Sequence, residues 1–190
     1  MELPLYKMVM TDEQDGVHIL SLVDSPAIMV DWVKFSESKS KTQFKIQDEE
    51  RRIIFGPALI PDLPIYRRDE LGREYYVTID KPTIEQVAIK FSQQKNINNF
   101  DINHNEVLLS GVTLFEIVVT DKSRFPVAVG FEDLPEGTMF ATAKVNNDAV
   151  WQKIKSGEVK GFSITGLFKN VPTKPIDTSE IEGLIKEILN

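Results

Sequence analysis

The segment GEVKGFSITGLF, residues 157–168, places Ser163 in a β-type run between Gly161 and Gly166, and His104 stands upstream of it in NNFDINHNEVLL. A serine hydroxyl is a weak nucleophile at neutral pH and becomes useful when a base takes its proton as the bond to a carbonyl forms. Histidine suits that work best. The chain has two histidines. His18 falls in an early strand, packed or at its surface, whereas His104 lies where a polar turn meets the start of a long strand, a junction that both exposes a base and holds it. A solvated loop histidine and a structural strand serine are the simpler alternatives. Gly161 and Gly166 favour the chemical reading, because missing side chains let a substrate backbone, or an oxyanion held by main-chain N–H groups, come close. The pattern is G-x-S-x-x-G and not the G-x-S-x-G elbow of α/β-hydrolases. Lys160, three positions from Ser163 along a strand, points to the opposite face, which sets a Ser-Lys arrangement aside.

Other chemistries find no support. Asp101, Asn103 and Asn105 imitate the first half of a calcium loop, but Glu106 stands where glycine is needed and Val112 where a bidentate carboxylate is needed. With no cysteine and two distant histidines a zinc site is unsupported, so no metal and no cofactor is expected. There is no P-loop and no G-x-G-x-x-G fingerprint. The lack of cysteine also rules out a disulfide framework and fits folding in the cytosol. Acidic residues outnumber basic ones, 29 to 22, for a net charge of −7, which argues against a nucleic-acid-binding face. The N-terminal residues lack a basic stretch followed by an apolar core, and no run of about 18 apolar residues occurs, so neither export by that route nor a membrane span is expected.

A chain of 190 residues is sized for one domain with tails. Residues 17–35 read as a strand, a Ser-Pro turn and a second extended piece, and 36–52 as an exposed hairpin or loop anchored by Phe44 and Ile46. Strands are predicted at 53–60, 75–79, 107–119, 125–131, 138–145 and 159–168. Helical spacing predicts an amphipathic helix over 83–94, with Thr83 and Gln86 as a capping box, and a short helix capped by Asn147 or Asp148 and ended by Gly157. Ser179 and Glu182 form a second capping box for a C-terminal helix with an apolar stripe of Ile181, Leu184, Ile185 and Ile188. Strands that outnumber helices without alternating regularly predict an α+β fold, mainly an antiparallel curved sheet or barrel with flanking helices. The segment VPTKPIDTS, 171–179, reads as a flexible link, giving a main domain over 1–170 and a linker with a detachable helix over 171–190.

Four pieces in order carry a family resemblance: IIFGPALIPDLPIYRRDE, YYVTIDKPTIEQVAIKF, NNFDINHNE and WQKIKSGEVKGFSITGLF. Over residues 53–168 the chain resembles the phage prohead, or capsid-maturation, serine proteases of the PBSX-prophage-like group, related to the assemblin fold of herpesvirus proteases. The resemblance implies Ser163 as nucleophile and His104 as base. For the third member two candidates stay open: Glu116, in the strand after the histidine, and Asp24, in SLVDSPAI. The family pattern often has glutamate after Gly-Phe-Ser-Ile, where this chain has Thr165.

The implied activity is endopeptidase cleavage of phage scaffolding and major capsid proteins, with self-cleavage, in the host cytoplasm inside the procapsid. Crowding there would favour a homo-oligomer; no nucleic acid or membrane partner is expected. A catalytically inactive structural or scaffolding protein of the head, its C-terminal stripe binding a partner helix, is the alternative from another class. A small-ester hydrolase using the same dyad is a third.

Overall fold

Strict alternation of apolar and polar side chains sets the strands that matter here. The computed structural model describes residues 2–24, 43–125 and 130–189. In chain order the strands are β1 (Glu2–Leu3), β2 (Leu5–Val9), β3 (Gly16–Val23), β4 (Lys45–Asp48), β5 (Ile53–Leu59), β6 (Ile65–Arg68), β7 (Glu74–Thr78), β8 (Phe100–Ile102), β9 (Val112–Val119), β10 (Met139–Val145), β11 (Gly161–Leu167), β12 (Lys169–Pro172) and β13 (Ile176–Asp177). Three helices interrupt them: α1 (Lys81–Gln93), α2 (Asp148–Lys155) and α3 (Thr178–Leu189). The α+β class is as expected.

The strands form hydrogen-bonded sheets in the orders β4-β5-β10-β9, β11-β3-β8, β12-β2-β7-β6 and β1-β13. Most pairings are antiparallel, but β2 runs parallel to β7 and β3 parallel to β8. Among the described residues the sheets are therefore mixed, and none closes on itself. The β3–β8 pair is parallel because β8 meets β3 from its other side after the long connection that carries α1.

Leu20 and Leu22 of β3, Phe100 of β8 and Phe162 and Ile164 of β11 point into one core with α1 residues Ile84, Val87 and Phe91 and α2 residues Val150, Trp151 and Ile154. Leu3, Leu63, Tyr76, Ile176, Ile181 and Ile185 make a second, smaller core. The stripe on α3 is thus spent on its own domain: Ile181 is fully buried and Ile185 nearly so, while Leu184 stands partly exposed. The 171–179 segment is tied down as well. β12 pairs with β2, β13 pairs with β1, and the Thr173 N–H donates to the Leu5 carbonyl at 2.9 Å.

The helix starts need two adjustments. α1 is capped by Asp80, whose carboxylate accepts from the Thr83 N–H, with Pro82 in the first turn, so Thr83 is inside the helix and not its cap. At α3 the Asp177 carboxylate accepts from both the N–H and the hydroxyl of Ser179, which holds its pKa down at about 2. α2 follows the sequence, with Asn147 accepting from the Val150 N–H and Gly157 at φ 72° past its end. The ladder expected from residue 107 begins only at Val112. Of the expected strand over 125–131, residues 126–129 lie outside the described residues, as do 25–42 of the early turn and loop; Phe125 bridges Asp121. The hairpin anchored by Phe44 survives as β4 against β5.

Because Ile181 carries α3 onto the second core, Ile181→Ala should cost about 2–5 kcal/mol. Urea unfolding followed by circular dichroism checks this. An unchanged midpoint would show α3 to be dispensable.

Candidate active site

A polar residue sits at the middle of three apolar triplets, Leu20-Ser21-Leu22, Phe100-Asp101-Ile102 and Phe162-Ser163-Ile164. In each the flanking pair turns toward the core and the polar residue must face the other side of the sheet. The registers align them: Ser163 is opposite Ser21, and Ser21 is opposite Asp101. The result is a row across β11, β3 and β8 in which Ser163 is 2 % exposed and Ser21 and Asp101 are fully buried. At the ordinary strand spacing the ends of this row are about 10 Å apart. His104 bridges that gap.

The histidine does not stand on a strand. It follows β8 in a turn closed by the Asn105 N–H donating to the Ile102 carbonyl at 3.2 Å, and both central residues have positive φ, Asn103 at 51° and His104 at 57°. Positive φ at both positions is what a type I′ turn requires, and for histidine it is a strained conformation of the kind that gathers at working sites. Three contacts hold it. The Asn103 N–H donates to the Leu22 carbonyl at 3.0 Å, its side-chain oxygen accepts from the Asp24 N–H at 3.1 Å, and Asp101 Oδ2 accepts from the Glu106 N–H at 2.8 Å. The turn is thereby folded back over β3.

Across β3 the imidazole reaches β11. His104 Nε2 lies 3.0 Å from Ser163 Oγ, and Nδ1 lies 2.8 Å from Thr165 Oγ1 and 2.9 Å from Ser21 Oγ. The two hydroxyls are themselves 3.3 Å apart. With the proton on Nδ1 donated to this hydroxyl pair, Nε2 is left to accept from the Ser163 hydroxyl, which is the geometry of a general base and its nucleophile. The imidazole stands exposed while the serine does not, so it is the base that meets solvent.

Loss of hydration lowers the His104 pKa, and the Arg67 guanidinium lowers it further, against the opposing influence of the Asp101 carboxylate. A neutral imidazole, ready to accept a proton, is therefore favoured at neutral pH. Asp101 Oδ1 is a buried carboxylate oxygen with no hydrogen-bond partner among the described residues. Beside the histidine a cavity of about 400 Å³ is lined by Arg67, Tyr75, Ile164, Thr165 and Phe168 among others. Among the described residues no group of His, Asp and Glu could hold a metal ion, and no helix is long and apolar enough to cross a membrane.

Ser163, on β11, and His104, in the turn that follows β8, come together across β3. Glu116 does not join them. It projects from β9 opposite Thr142 in a different sheet, exposed and absent from the partners of His104, because the chain between the turn and Val112 carries β9 away from the imidazole. Asp24, the other candidate, offers its main-chain N–H to Asn103 and brings no carboxylate to Nδ1. Thr165 takes that place, two residues from Ser163 and hence on the same face; Ser21 and Arg67 escaped the sequence reading and Asp101 entered it only as part of a failed calcium loop, although the three apolar-polar-apolar triplets marked Ser21 and Asp101. Gly166 serves a different need from the one expected. A Cβ there would collide with the Gly16 carbonyl oxygen and lie 2.9 Å from Val17 Cα, so glycine admits β3 and not a substrate. The pairing slips at this point, leaving His18 as the extra residue of β3, its Nε2 3.1 Å from the Gln14 carbonyl.

By proton NMR, His104 should titrate below the ordinary 6.5. Arg67→Met should raise its pKa and Asp101→Asn should lower it, since the two charges act with opposite sign. Shifts in the reverse sense would remove both groups from the electrostatics of the site.

Comparison with known proteins places these residues in context. A family described as "Putative phage serine protease XkdF" matches residues 41–171, a span that includes His104, Ser163 and Thr165. The phage-like element PBSX protein XkdF of Bacillus subtilis strain 168 is 24% identical over 153 residues, covering 80% of this chain and 50% of that protein. The chain spans about half the length of the curated relative it matches. No solved structure matches significantly. Since the matched span takes in most of the chain and both members of the serine–histidine pair, the chain belongs to the phage serine protease XkdF family.

Proposed function

We propose that the chain is a serine endopeptidase that cleaves phage scaffolding and major capsid proteins during head maturation, acting in the host cytoplasm inside the procapsid. The observation that carries this reading is the 3.0 Å contact between Ser163 Oγ and His104 Nε2. His104 takes the Ser163 proton at Nε2 as Oγ attacks a peptide carbonyl, and returns it to the leaving amine; water then releases the acyl group by the reverse sequence. Within its sheet β11 is hydrogen-bonded to β3 alone, so main-chain N–H groups on its free side are donors for the oxyanion. Peptide binding has to uncover Ser163, which is 2 % exposed.

Hydroxyls at Nδ1 orient the imidazole as a carboxylate would, but without its charge. The imidazolium formed during attack is stabilised by Asp101 only from a distance. This favours slow, limited cleavage of a few sites over rapid digestion. It is also the observation that favours the second reading, a catalytically inactive head protein that keeps the protease fold.

Co-expression with the cognate scaffolding and capsid proteins separates the two. Cleavage that disappears in Ser163→Ala and His104→Ala supports the peptidase; intact partners in the presence of the native chain would leave the structural role. If it is a peptidase, Thr165→Val should lower kcat by less than Ser163→Ala does, because an orienting group contributes less than the nucleophile. Thr165→Val combined with Ser21→Ala should lose more than either alone. A double variant as active as the native chain would show that the hydroxyl pair does not orient His104.

A further inference from the structure

Arg67 lies on β6 opposite Tyr75, on the same face as Ile65, and so points inward at the rim of the main core where an apolar residue would be the default. It is half-buried, and burial lowers its pKa from the usual range. A guanidinium carries five N–H donors. Among the described residues the one hydrogen bond it makes is from Nη1 to the Tyr66 carbonyl, at 3.3 Å. Arg51, Arg52 and Arg73 each pair with a carboxylate, whereas Arg67 has no carboxylate partner among the described residues. A partly desolvated cation with most of its donors unspent is costly unless something arrives to pair with it.

The place where it waits is the cavity beside His104. Met8, Tyr75, Val77 and Phe168 give that cavity apolar walls, and Arg67 supplies its cation. Apolar walls suit the methylene stem of a side chain, and a planar fork at the rim suits its carboxylate. Resting on the peptidase reading above, we propose that this cavity is the specificity pocket and that it selects an acidic side chain, glutamate or aspartate, flanking the scissile bond. A substrate carboxylate bound there would also cancel the effect of Arg67 on His104, so that the correct substrate makes the imidazole a stronger base at the moment of attack. An inward charge on an edge strand can serve merely to discourage strand pairing. The experiment has to tell these apart.

Cleavage sites are mapped by mass spectrometry in a randomised peptide library, with the native chain, Arg67→Met, Arg67→Lys and Arg67→Glu. Labelling of Ser163 by a small fluorophosphonate, which has no side chain for the pocket, is measured in parallel. The native chain should enrich Glu and Asp within two residues of the cut. Arg67→Met should lose that enrichment, with kcat/KM for an acidic peptide falling on the order of 10-fold or more while that for its Gln counterpart does not fall. Arg67→Glu should shift the preference toward Lys and Arg. All four should be labelled by the fluorophosphonate, which reports an intact fold, with Arg67→Met and Arg67→Glu reacting no more slowly than the native chain because loss of the guanidinium raises the His104 pKa. Cleavage without acidic enrichment, or an enrichment that survives Arg67→Met, overturns the proposal while leaving the peptidase standing. Neither labelling nor cleavage in the native chain would sink the peptidase reading, and the pocket assignment with it.

Discussion

The site depends on β3 having a different partner on each side in a fixed register. Pairing with β11 sets Ser21 beside Ser163, and pairing with β8 sets the same Ser21 beside Asp101. A slip of one residue in either ladder would turn its polar residue into the core and bring an apolar one to the imidazole. Burial guards against that slip. Leu20, Leu22, Phe100 and Phe162 are all less than 3 % exposed on the far face, so the packing that stabilises the domain also fixes which side chains meet His104.

On that base the histidine is placed by backbone and not by packing. Two consecutive positive φ values bend the chain back over β3, and main-chain contacts to Leu22 and Asp24 keep it there. The histidine borders the cavity and meets what enters it, while its hydrogen-bond partners are drawn from β3 and β11. Of the two paired groups the imidazole belongs to the more exposed residue and the hydroxyl to the buried one.

Much of this was legible in the chain. Helical spacing found α1, α2 and α3, because those elements bury one face and leave a periodic trace, while alternation found β3 and apolar or β-branched runs found β5, β7, β10 and β11. The pair Ser163 and His104 was legible from residue type and context. The partner at Nδ1 was not, since the search looked for a carboxylate, whereas the position that shares a face with Ser163 two residues on holds Thr165. Glu116 was misplaced because a strand was read straight through 107–119; the five residues before Val112 form no strand and turn the chain toward another sheet. Asp80 was overlooked as a cap because Thr83 three residues later offered a plausible box. Nothing in the local pattern announces that β8 runs parallel to β3, since such a pairing is a contact between distant parts of the chain.

That distance bears on when the chain can act. Ser21 and His104 are 83 residues apart, His104 and Ser163 another 59, and Ser21 and Thr165 are separated by 144. Contacts of such long range close slowly and only after both ends exist. During synthesis the strand that carries Ser163 is among the last to emerge, and until it docks on β3 the imidazole has neither its serine nor half of its Nδ1 contacts. A nascent chain, or one broken off anywhere before β11, holds a histidine in a turn with no Ser163 beside it, so the order of translation itself defers the pairing until the fold is nearly complete.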